Sequence, residues 1–319
     1  MLCRRLLLCH EKARNPDGGV DDPDLSCRGE TIVISKARRS TKEEIVLNHI
    51  TLSIVTVSRN ASSTIDDCVA SIRHQRVPVE HIIIDGASQD DTVQRIEHSG
   101  ATIAHLLSEP DHGMYDAMNK GLALATGEVV GILNADDFYA HRHVLKEVAR
   151  VFSDSTVDAC YGDVVYIDAA GSGRVVRAWK SCDYEPSLFY RGWMPPHPSF
   201  FVRRRIYTKC GGFDLRLGTS ADYELMLRLL VRYGCTAKYI PHTLVVMRMG
   251  GASNASLQNR IKANRMDRLA WSVNGLRPRP WTLLLKPASK IGQYVAPRFS
   301  DKRVNRWWLD HAHLDAVRE

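Results

Sequence analysis

Several things are scarce in this 319-residue chain, and each scarcity removes a class of function. Eight cysteines are scattered from Cys3 to Cys235, and no two stand in a Cys-x-x-Cys pair. A zinc knuckle or a dithiol redox motif is therefore not indicated, and the pattern suits free thiols in a reducing compartment. No apolar run reaches the roughly 18–20 residues that span a bilayer. Leu6, Leu7 and Leu8 follow Arg4 and Arg5, but the stretch is too short for a signal peptide. The excess of positive charge is small: 43 Lys and Arg against 36 Asp and Glu, a net +7. Charge alone does not argue for nucleic acid. No internal repeat is visible.

What is present is an alternation of buried strands and helices. Residues 1–48 are rich in turn formers such as Asn15-Pro16-Asp17-Gly18-Gly19, and we expect a loose extension there. From Thr51 to Val57 runs a β-branched strand. Ile65, Cys68, Val69 and Ile72 then recur as one helix face. Further strands are expected at His81–Ile84, Thr102–Leu107 and Val129–Leu133, with helices at Asp90–His98, Met114–Ala125 and Val144–Phe152. Such alternation predicts an α/β fold, a mostly parallel Rossmann-like sheet with helices on both faces. Ligands of such sheets bind at the carboxyl ends of the strands. Those ends carry Ser58-Arg59-Asn60, Asp85-Gly86 and Asn134-Ala135-Asp136-Asp137.

The second half is less regular. Strands are expected at Ala159–Ile167, Arg174–Trp179 and Ser199–Val202, and a helix at Ala221–Tyr233. Boundaries follow: a domain over 49–255, with a nucleotide-binding part at about 49–140 and an acceptor part at about 141–255. A basic, Trp-containing and helical tail occupies 256–319.

Five groups of residues carry candidate chemistry. Adjacent Asp136 and Asp137 at a strand end are costly to bury unpaired, and a hard divalent cation, Mg²⁺ or Mn²⁺, would offset that cost. Asp85, at another strand end, can accept a hydrogen bond from a base or a ribose. The segment Ser108 to Gly121 is dense in polar groups, with Asp116, Asn119 and Lys120 on one helix face. Asp222, near a helix start, suits a general base. His197 sits between prolines in Pro195-Pro196-His197-Pro198-Ser199. Each taken alone is equally a cap, a turn or a solvated face.

In this order the pieces resemble family 2 glycosyltransferases of the GT-A fold, from about Leu52 to about Ser253. Ile83-Ile84-Asp85-Gly86-Ala87-Ser88-Gln89-Asp90 is similar to the family's hydrophobic-Asp-Asp-Gly-Ser-x-Asp segment, with Gly86-Ala87 in place of the second Asp and the Gly. Asn134-Ala135-Asp136-Asp137 resembles the Asp-x-Asp-Asp metal signature, with Asn in place of the first Asp. The stretch Glu109 to Gly121 looks like a subset acting in bacterial exopolysaccharide, lipopolysaccharide and glycolipid assembly, with Met118 where many relatives have Arg.

The resemblance implies an inverting, metal-dependent transfer of a sugar from a UDP-, GDP- or dTDP-sugar to a hydroxyl of a glycan or lipid-linked glycan. It implies that Asp85, Thr56 and Val57 seat the base, that Asn60, Asp116, Asn119, Asn134 and Ala135 also face the nucleotide, that Asp136 holds the ribose, and that Asp136 and Asp137 take Mg²⁺ or Mn²⁺. Asp222 would be the base, with His197 and Glu224 on the acceptor side. The expected setting is the cytoplasm, with possible peripheral contact at the inner face of the membrane through the basic tail. Two other readings compete: a non-catalytic nucleotide- or sugar-binding module, and a nucleotidyltransferase. The latter usually carries a glycine-rich loop after the first strand, where this chain has Ser58-Arg59-Asn60-Ala61-Ser62-Ser63.

Overall fold

A computed structural model describes residues 50–168, 173–250, 257–288 and 293, all in the compact unit Ser40–Glu319. The expected extension over 1–48, and Trp307 and Trp308 of the tail, lie outside the described residues.

The first half is a parallel α/β unit. Strands β1 (Leu52–Ser58), β2 (Val79–Asp85), β3 (His105–Ser108) and β4 (Val129–Asn134) alternate with helices α1 (Ile65–Arg73), α2 (Thr92–His98) and α3 (Met114–Leu124). All seven residues of β1 are buried, as are Ile82, Ile83 and Ile84 of β2. Burial on both faces is why these strands read as apolar runs and not as alternating ones. Each such Ile contributes about 1.5–3 kcal/mol of hydrophobic stabilisation. Helix α3 comes so close to β1 that a methyl group on Gly121 would stand 2.2 Å from Val55 Cγ1.

The remaining elements widen the sheet. They are β5 (Phe138–Tyr139), α4 (Val144–Phe152), β6 (Ala159–Ile167), β7 (Val175–Trp179), β8 (Phe201–Arg203), α5 (Arg204–Cys210), α6 (Ala221–Leu227) and β9 (Ala237–Arg248). Helix α4 buries Val144, Leu145, Val148, Ala149 and Phe152 on one face. The nine strands form one sheet in the order β3-β2-β1-β4-β8-β6-β9-β5, with β7 beside β6. Strand β8 pairs antiparallel with β4 and β6, so the sheet is mixed beyond β4. The order reverses between β1 and β4, which makes their carboxyl ends a topological switch point, the usual ligand crevice.

Two sequence expectations are corrected. Residues 199–202 do not form one strand, because His197–Ser199 is a 3₁₀ turn ahead of β8. The helix expected over 221–233 is α-helical only to Leu227 and continues as a π turn over Arg228–Arg232. Strand β9, at 12 residues the longest, was not anticipated. Pro241 and His242 interrupt its apolar pattern, and its register against β6 shifts at that point.

Helices α7 (Leu257–Val273) and α8 (Thr282–Ala288) follow. Trp271 is fully buried and donates from Nε1 to the Tyr223 hydroxyl at 2.9 Å. The C-terminal part therefore packs directly on the helix that carries Asp222. Among the described residues no helix is long and apolar enough to cross a membrane.

A candidate nucleotide and transfer site

Parallel register lines up Ser58, Asp85 and Ser108 in one row across β1, β2 and β3. Asp85 is fully buried in that row. Its Oδ1 accepts from Ser58 Oγ at 2.9 Å and Ser88 Oγ at 2.5 Å. Its Oδ2 accepts from Ser88 N and Ser108 Oγ, both at 2.8 Å. Burial pushes this carboxyl up, but the hydrogen bonds from Ser88, Ser108 and Ser58 together hold it below the ordinary aspartate value. These hydrogen bonds tie the ends of β1, β2 and β3 together through Asp85.

Thr56 faces the interior of the sheet. Its hydroxyl is buried and lies 3.0 Å from His81 Nε2, inside the sheet. Val57 is 8% exposed, and its carbonyl accepts from Ala135 N at 3.1 Å, tying β1 to the loop after β4. Asn60 is exposed, has φ 49°, and its Oδ1 accepts from Gln89 N at 2.9 Å.

The loop after β4 holds the acidic pair. Asp137 is fully buried, and its Oδ2 accepts from Asn134 Nδ2 at 3.2 Å. Asp137 Oδ1 and Asn134 Oδ1 are both buried without a hydrogen-bond partner. Burial, and then the charge of Asp136, pushes the Asp137 carboxyl well above the ordinary range; burial likewise raises Asp136. Two orphaned oxygens and a second carboxylate form a hard donor set that fits a divalent cation. Arg248, from β9, donates to the Asp136 carbonyl at 3.0 Å, pairs with Asp67, and lies over the Phe138 ring. Sequence reasoning missed Arg248, because its approach depends on a strand it did not foresee.

Across from this loop, Asn134, His197 and Asp222 line one cleft, whose walls include Tyr115, Met118 and Phe213. Asp222 begins α6, and its Oδ2 is 3.2 Å from His197 Nδ1. Tyr115 lies against Asp222, and burial together with that carboxylate raises its phenol far above its usual value. Tyr115 was another omission; its place between two motif residues, Met114 and Asp116, was the available signal.

Three expected site residues are engaged elsewhere. Asn119 clamps the Phe213 backbone, donating to its carbonyl at 2.9 Å and accepting from its N–H at 2.8 Å. Asp116 accepts from His112 N at 3.1 Å and pairs with Lys120 at 3.6 Å, which fastens the start of α3. Glu224 is buried and paired with Arg228 at 2.9 Å, and also accepts from Asn274 at 2.9 Å. Its carboxylate is a structural anchor and does not line the cleft.

Comparison with known proteins is consistent with this geometry. A profile described as "Glycosyl transferase family 2" matches residues 53–211. An uncharacterized glycosyltransferase of Mycobacterium tuberculosis is 33% identical over 184 residues, which cover 56% of this chain and 68% of that one. A PGL/p-HBAD biosynthesis glycosyltransferase of Mycobacterium bovis is 29% identical over 209 residues, 63% of this chain and 78% of that one. Among solved structures, S. aureus TarS 1-349 in complex with UDP-GlcNAc superposes with a TM-score of 0.55 at 16% identity, covering 70% of this chain and 66% of that chain. Mannosyltransferase PcManGT from Pyrobaculum calidifontis, in complex with GDP-Man and Mn²⁺, gives 0.53 at 17%, covering 84% and 81%. At that identity the structural likeness establishes the fold alone, a mixed, mostly parallel GT-A sheet. With the profile, the mycobacterial relative and the fold in agreement, the chain belongs to glycosyl transferase family 2.

Proposed function

We propose that this protein transfers a sugar, with inversion, from a nucleoside-diphosphate sugar to a hydroxyl of a glycan or lipid-linked glycan. The observation that carries the reading is the joint lining of one cleft by Asn134 and Asp222. It brings the residue that ends β4, next to the acidic pair, into the same cleft as a carboxylate held at the head of α6.

Asp137 and Asp136, with the Asn134 carbonyl, would hold Mg²⁺ or Mn²⁺. Such an ion supplies Lewis acidity to a departing diphosphate. Asp136 reaches the ribose side, and Val57 and Ala135 form the backbone floor where β1 meets the loop after β4. Asp222 accepts the proton of the acceptor hydroxyl as that oxygen attacks the anomeric carbon. His197 and Tyr115 orient the Asp222 carboxylate. Displacement in line and from the opposite face inverts the anomeric centre through an oxocarbenium-like transition state. The structural neighbours are complexes with UDP-GlcNAc, UDP and GDP-Man, which supports a nucleotide-sugar donor here. The basic tail beyond residue 260 would lie near an anionic membrane surface, which suits a lipid-borne acceptor.

The test is calorimetric binding of UDP, GDP and dTDP, each with and without Mn²⁺. Cation-dependent binding of one of them, lost in Asp137→Ala, is expected. Absence of binding by all three in the presence of Mn²⁺ would move a non-catalytic module to the front.

A further inference from the structure

The cleft that holds Asn134, His197 and Asp222 is otherwise lined almost wholly by apolar side chains. Helix α3 contributes Met114 and Met118, four residues apart and so on one face. Helix α6 contributes Leu225 and Met226, three and four residues on from Asp222 and on its face. Ile132, two residues before Asn134 on the same side of β4, and Phe213 extend the walls. Met118, Leu225, Met226 and Phe213 are buried and Met114 is exposed, so the apolar lining runs from the surface into the core. The phenol of Tyr115 is engaged with Asp222, and Tyr207 adds one further hydroxyl. The free space is about 40 Å³. A water needs about 10–15 Å³ on that measure, so the recess takes one small substituent of a sugar and not a whole ring.

In the transfer, one sugar stands between a diphosphate departing beside Asn134 and an acceptor hydroxyl that yields its proton to Asp222. The walls that Asn134 and Asp222 share are therefore the walls that this sugar meets. A hydroxyl pressed against Met118, Met226 and Phe213 gives up its hydrogen bonds to water and gains none. A methyl group there gives up nothing and gains dispersion contacts, to which the flexible thioethers adapt. We propose that the transferred sugar is a 6-deoxyhexose whose C6 methyl group enters the apolar recess lined by α3 and α6. An acetamido group also ends in a methyl, but its N–H and carbonyl would need partners that these walls do not supply. The proposal rests on the cleft being a nucleotide-sugar site.

The experiment measures dissociation constants, with Mn²⁺, for donors paired so that only the 6-hydroxyl differs. The pairs are GDP-D-rhamnose with GDP-D-mannose, GDP-L-fucose with GDP-L-galactose, dTDP-D-fucose with dTDP-D-galactose, and UDP-6-deoxy-D-glucose with UDP-D-glucose. UDP-GlcNAc and free UDP, GDP and dTDP are measured beside them. In at least one pair the wild-type protein should favour the deoxy member by about tenfold to a hundredfold, the range over which an apolar pocket rejects an added hydroxyl. Met118→Gln offers that hydroxyl a partner, and should bring the two members to within about threefold while the free diphosphate binds as before. Met114→Gln, at an exposed position where folding is not at risk, should move the ratio the same way. Tyr207→Phe removes a hydroxyl from the walls and should leave the ratio as it is. Parity or a preference for the hydroxylated member in every pair overturns the proposal and leaves the nucleotide site standing, as does tighter binding of UDP-GlcNAc than of every deoxy donor. A ratio unchanged in both methionine variants, or lost in Tyr207→Phe, overturns the recess as its source. No binding of any nucleotide by the wild-type protein overturns both readings.

Discussion

Nδ1 of His197 lies 3.2 Å from Oδ2 of Asp222, on a ring fixed from several sides. Prolines flank it, its ring centroid is 6.0 Å from that of Trp179 in an edge-to-face arrangement, and the next turn is nailed to β6 by Ser199 Oγ, which donates to the Gly162 carbonyl at 2.6 Å. A base that must take a proton in one step gains from such orientation. Asp222→Asn should lower kcat by on the order of 10²–10⁴, leaving nucleotide affinity unchanged. His197→Ala should lower kcat by about tenfold. His197→Asn, whose amide can donate from near the position of Nδ1, should restore part of that loss. Steady-state kinetics in donor and acceptor separate the effects, and full turnover in Asp222→Asn would remove Asp222 from the reaction.

How far the sequence predicted this site depended on whether each residue's partners were local. Strands β1, β2 and β4 were legible because their apolar runs are continuous, and their polar ends named Asp85, Asn134, Asp136 and Asp137 directly. Partners from distant elements were not legible. Ser58 and Ser108 saturate Asp85 only because three strands bring them into one row. Arg248 reaches Asp67 across 181 residues of sequence. Asn119 and Glu224 have the residue types of ligands, and tertiary contacts consume both.

Asp137 yields a stability prediction that runs opposite to its role. A buried carboxylate with an orphaned oxygen beside a second carboxylate costs stability whenever it is ionised and unneutralised. Its raised folded value means that the native state holds the proton more tightly than the unfolded chain. Stability from this group therefore falls as pH rises above the unfolded value near 3.8. With chelator present, Asp137→Asn should be more stable than wild type at pH 8 by about 1–3 kcal/mol. The gap should shrink at pH 5, while cation-dependent nucleotide binding is lost. Thermal melts at the two pH values test this; a destabilised variant at pH 8 would contradict it.

Ala87 occupies a backbone conformation that suits glycine. Its φ is 53°, and the resembling segment of the family has Gly at that position. A side chain in the left-handed region costs about 1–2 kcal/mol, part of which glycine's greater freedom in the unfolded chain offsets. Ala87→Gly should raise the unfolding free energy by up to about 1 kcal/mol in urea titration. A loss of stability would show that the loop between Asp85 and Ser88 is unstrained.

His81 links the sheet beneath the carboxyl ends of β1 and β2 to pH. It is buried, its Nε2 is 3.0 Å from the Thr56 hydroxyl, and burial pushes its pKa from 6.5 down to about 4. The folded ring stays neutral down to that value, whereas the unfolded ring is protonated from 6.5 downward. Stability from this group is complete above pH 6.5 and is lost as pH falls towards 4. The interval of about 2.5 units sets an upper bound of roughly 3 kcal/mol. Asp85, held below its ordinary value of 3.8, loses its contribution only at still lower pH, so the two windows separate. His81→Gln keeps a hydrogen-bonding group towards Thr56 and removes the titration. Urea midpoints at pH 7, 5.5 and 4.5 should fall steeply for wild type and more gently for the variant. Parallel slopes would assign the acid sensitivity to another group.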